Sequence, residues 1–245
     1  MLGGVMGHLR QARAKTLDAS PSAGDFVNRY YSGTTYALWK AAQAPMRALG
    51  GLVLDAGSGR GAWKATIEAN GGTREALDIC PKAGEVVTWI ADLTAMPQVP
   101  SGRYDSAVCH QVLEHVPAPG AALSELHRVL KPGGTLVISV PHLSRQHELP
   151  HDYFRFTPGG LRRLIEDAGF EIVSVAPFGG LLTFVHHQLS TLVLGLAAAF
   201  RPLFPLAALV NAPFSILSSR LDALLDRSGL LATGVIAVAR KRTDG

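Results

Sequence analysis

The sequence predicts an α/β protein with a mainly parallel, doubly wound sheet. Short apolar runs ended by glycine alternate with helical stretches along most of the 245 residues, a rhythm that requires crossover connections. One of those runs, VLDAGSGRG at 53 to 61, sets a D-x-G-x-G-x-G turn between a strand and the helix after it. Hydrophobic residues make up 47% of the chain, enough for one large core or for a domain with an appended subdomain.

Residues 1 to 24 read as a mobile basic arm ending in the breaker-rich ASPSAG, and residues 25 to 245 as the folded domain. From Asp25, as N-cap, a helical segment runs to about Leu49 and carries Phe26, Tyr30, Tyr31, Tyr36 and Trp39, mostly as packing. GLVLDAG reads as a buried parallel strand, followed by a helix from Arg60 to Asn70 that Gly71 and Gly72 close. Further strands are expected at 74 to 78, 86 to 91, 104 to 110, 134 to 140, 170 to 176 and 233 to 240. Helices are expected over Ala118 to Leu130 and Pro158 to Ala168. From Ile172 to Ser219 the composition changes, because Arg201 is the only charged residue among 48. LLTFVHHQLSTLVLGLAAAF at 181 to 200 has the length of a bilayer span, but it holds His186, His187 and Gln188, and Pro202 and Pro205 follow it. Since a strand comes after, the stretch from 178 to 230 is read as an apolar helical insertion or lid that leaves the domain and returns, not as a tail anchor.

Charge bounds the partners. Residues 1 to 50 hold six Lys or Arg against Asp18 and Asp25, and the remainder balances at 17 against 17, so the net +4 belongs to the N-terminal segment. Such an arm suits an anionic surface, but the excess is small; a solvated tail is the simpler reading and no nucleic-acid partner is expected. Cys80 and Cys109 make neither a disulfide framework nor a CxxC knuckle, so both are read as small buried side chains in a cytoplasmic protein. Met1 to Arg10 has no sustained apolar core behind a basic start, and no secretory signal is expected.

The glycine turn brings backbone close to a ligand at a helix N-terminus. Asp55 within it would repel a pyrophosphate and attract an ammonium or sulfonium. Asp78 ends the next strand, where an acid accepts hydrogen bonds from ribose hydroxyls. Asp92 ends the third strand, placed for an adenine amino group. Three acids at three strand ends would line one crevice at the carboxyl edge of the sheet.

The series VLDAGSGRG, LDICP, ADLTAMP, YDSAVCHQVLEHV and LHRVLKPGGTLVISVP resembles the class I S-adenosylmethionine-dependent methyltransferases, in the type 11-like branch that includes ubiquinone and menaquinone methylases. The resemblance covers about residues 50 to 178. It implies a seven-stranded Rossmann-like sheet whose last strand, TGVIAVAR here, is antiparallel and inserted between the fifth and sixth. It also implies S-adenosylmethionine as cofactor, with Asp55, Gly57, Ser58 and Gly59 at its methionine end, Asp78 and Ile79 at the ribose, and Asp92 and Leu93 at the adenine. His110 and Gln111 would border it after the fourth strand. ICPKAGE is too short for the usual second helix, which leaves the adenine side more open. Glu114 and His115 are taken as ordinary residues of the helix that follows the fourth strand.

HELPH at 147 to 151 fits H-E-x-x-H, the helical zinc pattern of metallopeptidases. Pro150 removes the helix that the pattern needs, so no zinc peptidase is expected and the loop is read without a metal ion; a divalent ion clamped between loop and acceptor is the alternative kept open. The loop follows the fifth strand and so lies at the same sheet edge as the cofactor. Methyl transfer depends chiefly on alignment, and an oxygen acceptor must also lose a proton, work that suits a histidine oriented by a carboxylate. His142, His147 and His151 are the candidates, with Asp152 as orienter and Tyr153 and Arg155 as acceptor contacts. PHDYFRFTPGGLRRLIEDAGFEI further resembles a methyltransferase subgroup associated with cell-envelope glycan and lipid-linked sugar synthesis. The leading expectation is therefore O-methylation of a hydroxyl on a sugar or amphipathic, lipid-linked acceptor. Methylation of a quinone or polyketide at carbon or oxygen is the alternative, and an inactive cofactor-binding regulator or scaffold is the alternative of another class. The insertion at 181 to 219 would serve either peripheral contact with the inner face of a membrane or a homodimer interface.

Overall fold

The computed structural model describes residues 29–82, 84–200, 203–226 and 228–243. The expected basic arm, Asp25 and Phe26 lie outside the described residues. Two compact units result, one from Ala41–Pro177 with Gly234–Gly245, the other from Met1–Lys40 with Phe178–Thr233, and the division falls inside helix α1 (Gly33–Met46).

The first unit is built on a seven-stranded sheet in the order β3-β2-β1-β4-β5-β7-β6. Its strands are β1 (Leu52–Ala56), β2 (Thr73–Asp78), β3 (Trp89–Ile90), β4 (Tyr104–His110), β5 (Leu130–Pro141), β6 (Phe170–Phe178) and β7 (Gly234–Lys241). β1 pairs in parallel with β2 and β4, and β4 with β5, whereas β7 runs antiparallel to β5, from Thr135↔Arg240 to Pro141↔Gly234. This is the doubly wound sheet with an inserted antiparallel last strand that the motifs imply. Its central strands are apolar because both faces are covered: Leu54, Ala107, Leu136 and Ile138 are fully buried.

Helices α2 (Lys64–Ala69), α3 (Pro119–Val129) and α4 (Pro158–Asp167) supply crossovers. α3 buries Ala122, Leu123, Leu126 and Val129, one stripe at helical spacing. α4 starts where Thr157 Oγ1 accepts the Gly160 N–H at 3.0 Å, and it buries Leu161 and Ile165, each contributing roughly 1.5–3 kcal/mol relative to exposure.

Three local expectations change. The third strand shrinks to two residues, because Pro81 precedes it and Val86 projects into solvent. Cys80 is exposed rather than buried, since it lies past the end of β2; Cys109 is buried. Glu114 and His115 occupy a 3-10 turn, Leu113–His115, and the helix starts only at Pro119, where proline is tolerated.

In the second unit, α5 (Leu181–Ala199) packs against α6 (Leu203–Leu225). Buried Asp222 on α6 accepts the N–H groups of Leu182 and Thr183 at 2.9 and 2.7 Å, capping α5 from outside. His186 Nδ1 accepts the Gly33 N–H at 2.8 Å, and His187 Nδ1 lies 2.8 Å from Ser32 Oγ. Both histidines of the apolar helix are therefore used in tying down the start of α1, at Ser32 and Gly33. Among the described residues, α5 is the one helix long and apolar enough to cross a bilayer.

Candidate active site

Strand register brings the predicted acids to one edge. Asp55 pairs with Ala76 on one side and Val108 on the other, so Asp78 and His110 both lie two residues further toward the carboxyl ends of their strands. His110 pairs with Ser139, and Asp78 with Ile90, which places Asp92 just beyond the same edge.

The turn after β1 is fixed by backbone contacts. Gly57 and Ser58 donate their N–H groups to the Leu77 carbonyl at 2.8 and 3.0 Å. Gly57 has φ 72°, and a Cβ there would collide with Val112, so packing and conformation both demand glycine. At Gly59, φ 57°, an added Cβ would meet nothing within 4 Å. Asp78 holds the turn to β2, its two oxygens accepting the N–H groups of Gly59 and Cys80 at 2.8 Å each. A carboxylate has about four acceptor positions, so capacity for ligand hydroxyls remains. Ser58 Oγ is buried with no protein partner.

Asp55 is buried and already paired: Arg74 Nε donates to its Oδ2 at 2.7 Å, and Arg74 Nη1 lies 2.5 Å from Glu85. Burial raises the Asp55 pKa above the ordinary carboxylate range, and Arg74 opposes this. Arg74 and Glu85 escaped the sequence reading; the available signal was a charge on an otherwise inward-facing strand, diagonal to Asp55. Asp92 is exposed and accepts both the N–H and hydroxyl of Thr94 at 2.8 Å, while Leu93 beside it is buried. Ile79 is exposed.

His110 is held between Ser139 Oγ, 2.8 Å from its Nδ1, and the Trp63 ring, whose centroid is 4.4 Å away. Burial lowers its pKa to about 3, so the imidazole is neutral, and its Nε2 has no protein partner. Gln111, at φ 56°, donates from Nε2 to the same Ser139 hydroxyl at 3.2 Å.

The segment 147 to 151 is not helical, in keeping with Pro150. Asp152 does not orient His151. Its carboxylate takes Arg155 through Nη1 at 2.6 Å and Nη2 at 2.8 Å, together with the His147 N–H at 2.7 Å. Arg155 holds Asp152 well below the usual carboxylate range. The remaining Arg155 donors reach the carbonyls of Ser144, Phe154 and Arg145. All five guanidinium N–H groups are thus spent inside the loop, and Arg155 shapes it rather than reaching an acceptor. His151 is exposed, with Nδ1 2.9 Å from Tyr153 Oη. His142 is half-buried.

Glu114, taken from the sequence as an ordinary first-turn acid, is completely buried with neither carboxylate oxygen hydrogen-bonded, and burial pushes its pKa up to about 8. The Nε2 atoms of His115 and His147 each lie 3.8 Å from its Oε1. The sequence signal was the pair Glu-His directly after a strand at the carboxyl edge.

A sheet of this topology with a glycine turn at its carboxyl edge is the class I methyltransferase architecture. A methyltransferase-domain family model matches residues 27–175, and the chain belongs to this family of S-adenosylmethionine-dependent enzymes. Its relatives include the ubiquinone biosynthesis O-methyltransferase of Thiobacillus denitrificans, 26% identical over 162 residues covering 54% of this chain and 69% of that enzyme. The enzyme of the same name from Xanthomonas oryzae is 32% identical over 105 residues, 37% of this chain and 43% of its own length. The fold is shared with Burkholderia thailandensis 1,6-didemethyltoxoflavin-N1-methyltransferase, solved with its substrate and S-adenosylhomocysteine, at TM-score 0.53 and 21% identity over 94% of this chain and 89% of that one.

Proposed function

We propose that the chain methylates a hydroxyl oxygen on an aromatic, quinone-type small molecule. The observation that carries this reading is one sheet edge holding both an open glycine turn and a histidine-rich loop, and the O-methyltransferase relatives support it. When bound, S-adenosylmethionine supplies a methyl group activated by a sulfonium centre. The residues present fit it: the space over Gly59, the unpartnered Ser58 hydroxyl and the unpartnered His110 Nε2 are all groups that a polar ligand would complete. Asp55, Gly57, Ser58 and Gly59 take the methionine end, Asp78 and Ile79 the ribose, and Asp92 and Leu93 the adenine, with His110 and Gln111 alongside. Arg74 tempers the negative charge of Asp55 so that the site is less acidic than three bare carboxylates.

His151 is assigned as the proton acceptor. Tyr153 Oη lies 2.9 Å from its Nδ1; in the tautomer that donates Nδ1–H to that oxygen, the Nε2 lone pair is left to take the acceptor's proton, and Tyr153 positions the acceptor. His142 and His147, the other candidates, flank the loop. The sugar or lipid-linked acceptor stands as a second reading on one observation, the exposed apolar residues of α5 and α6, which suit an amphipathic substrate.

Calorimetry with S-adenosylmethionine tests the cofactor assignment: Asp78→Ala is expected to weaken binding at least tenfold, and a wild type that does not bind would sink the reading. A panel of catechols, hydroquinones, glycosides and lipid-linked sugars, followed through release of S-adenosylhomocysteine, tests the acceptor. With the best acceptor, His151→Ala should lower kcat about 10²-fold with cofactor affinity intact; full activity would remove His151 as base.

A further inference from the structure

We infer that Glu114, His115 and His147 form a binding site for one divalent transition-metal ion of the zinc class, with a coordination position open to solvent. One ligand atom from each residue can be chosen so that all three lie within 4.8 Å of one another. Glu114 Oε1 is 3.8 Å from both imidazole Nε2 atoms. Nitrogen and oxygen ligands sit roughly 2.0–2.2 Å from zinc, which puts tetrahedral ligand atoms about 3.3–3.6 Å apart, so small side-chain rotations would close the set.

Second contacts fix which ring atoms face the centre. His115 Nδ1 lies 2.6 Å from the His151 carbonyl oxygen, and His147 Nδ1 lies 3.3 Å from that of Arg145. A carbonyl only accepts, so His115 Nδ1 carries the hydrogen and its Nε2 presents a lone pair. His147 Nδ1 also lies 3.5 Å from Arg155 Nη2, but that nitrogen places its hydrogens on Arg145 O and Asp152 Oδ2 at 2.7 and 2.8 Å, which leaves the carbonyl contact to set the same tautomer. Metal-bound histidines are oriented in this way. Asp152, clamped by Arg155, stands behind His147, with Oδ2 3.7 Å from Nδ1. Independently of this geometry, the Glu114 carboxylate is wholly buried, carries two unpartnered oxygens and is aimed at those lone pairs. Three atoms of metal-ligand type, drawn from three residues and converging on one point, are what a bound cation would hold together. Two histidines and one carboxylate with a free position are the donor set of catalytic zinc and non-haem iron sites. The set also differs from the HELPH pattern: His147 contributes, whereas His151 turns to Tyr153 and Glu148 takes no part. On the proposed O-methyltransferase reading, on which this last step rests, the open position takes the acceptor hydroxyl and makes its proton easier to lose.

The test uses the untagged full-length chain, stripped with chelator and titrated with Co²⁺ by visible absorption and Zn²⁺ by calorimetry, with S-adenosylmethionine titrated into the same samples. One equivalent of Co²⁺ is expected, with the strong d–d bands of four- or five-fold coordination. Glu114→Gln and His147→Ala should each weaken metal binding about 100-fold without changing cofactor affinity, and His127→Gln should bind like wild type. Absence of metal binding by the wild type, or wild-type affinity in His147→Ala, overturns the site. Cofactor affinity serves as the folding check; should His147→Ala lose it, the decision passes to His147→Gln and Glu114→Gln. Metal binding without cofactor binding would sink the methyltransferase reading and leave the site standing, and the reverse would sink the site alone.

Discussion

A carboxylate sealed from water without partners, as Glu114 is, weakens the fold that holds it. In chelator-treated protein, Glu114→Gln is therefore expected to raise stability by about 1–2 kcal/mol, read as a higher midpoint in denaturant. Loss of stability would show that the carboxylate is structurally required. Function retained at a cost to the fold is common at active sites. This residue also marks a limit of sequence reading. Asp55, Asp78 and Asp92 were legible because each follows an apolar run at a strand end. Glu114 and His115 stand where a helix start is expected, and only the 3-10 turn aims them inward. The loop was partly legible: Pro150 ruled out the helical zinc pattern, but the pairing of Asp152 with Arg155 and His147 rather than with His151 depends on how the chain turns between Ser144 and Arg155.

Strands and helices are legible in the sequence where packing alone sets them. β4 matches its expected bounds, 104 to 110, because its alternatives would expose an apolar run. β3 is shorter than its apolar run suggests because an edge strand is defined by its neighbour, and β2 offers it only Leu77 and Asp78. What holds this edge is a polar network. Glu75 on β2 accepts from Tyr104 Oη at 2.7 Å and Trp89 Nε1 at 3.2 Å, and it pairs with Arg103. Arg103 and these donors keep the Glu75 carboxyl below its ordinary value of 4.5. A carboxylate with a depressed folded pKa stabilises above its unfolded value and loses that contribution as pH falls through the folded one. Glu75→Gln should thus cost about 1 kcal/mol near neutrality, and the gap to wild type should begin to narrow below about pH 4.5 and vanish only once the pH has fallen through the lowered folded value. A gap that persists in acid would mean that packing, not charge, is at work. In the helical unit the corresponding contact is Asp222. Removing it in Asp222→Ala leaves two N–H groups at the start of α5 without their acceptor and should cost about 2 kcal/mol, whereas Asp222→Asn, which keeps a carbonyl oxygen, should restore part of the loss.

Among the described residues, the helical unit exposes many large apolar side chains. Leu189, Val193 and Leu196 on α5, and Leu206, Leu209, Val210 and Phe214 on α6, are each about half or more exposed. They lie within a stretch whose only charge is Arg201. Exposed apolar side chains of this number are a reason to test the two helices for an interaction surface, and the basic excess of residues 1 to 50 would add attraction to anionic headgroups. Anionic vesicles are accordingly expected to co-sediment the protein. Apolar insertion and electrostatic attraction respond differently to salt, so binding should weaken but not vanish as ionic strength rises past the range where the Debye length falls below about 8 Å. Leu209→Glu with Phe214→Glu should abolish vesicle binding while cofactor affinity is kept. A salt-indifferent soluble dimer that ignores vesicles, and that the same double substitution splits into monomers, would assign this surface to a second copy of the chain instead.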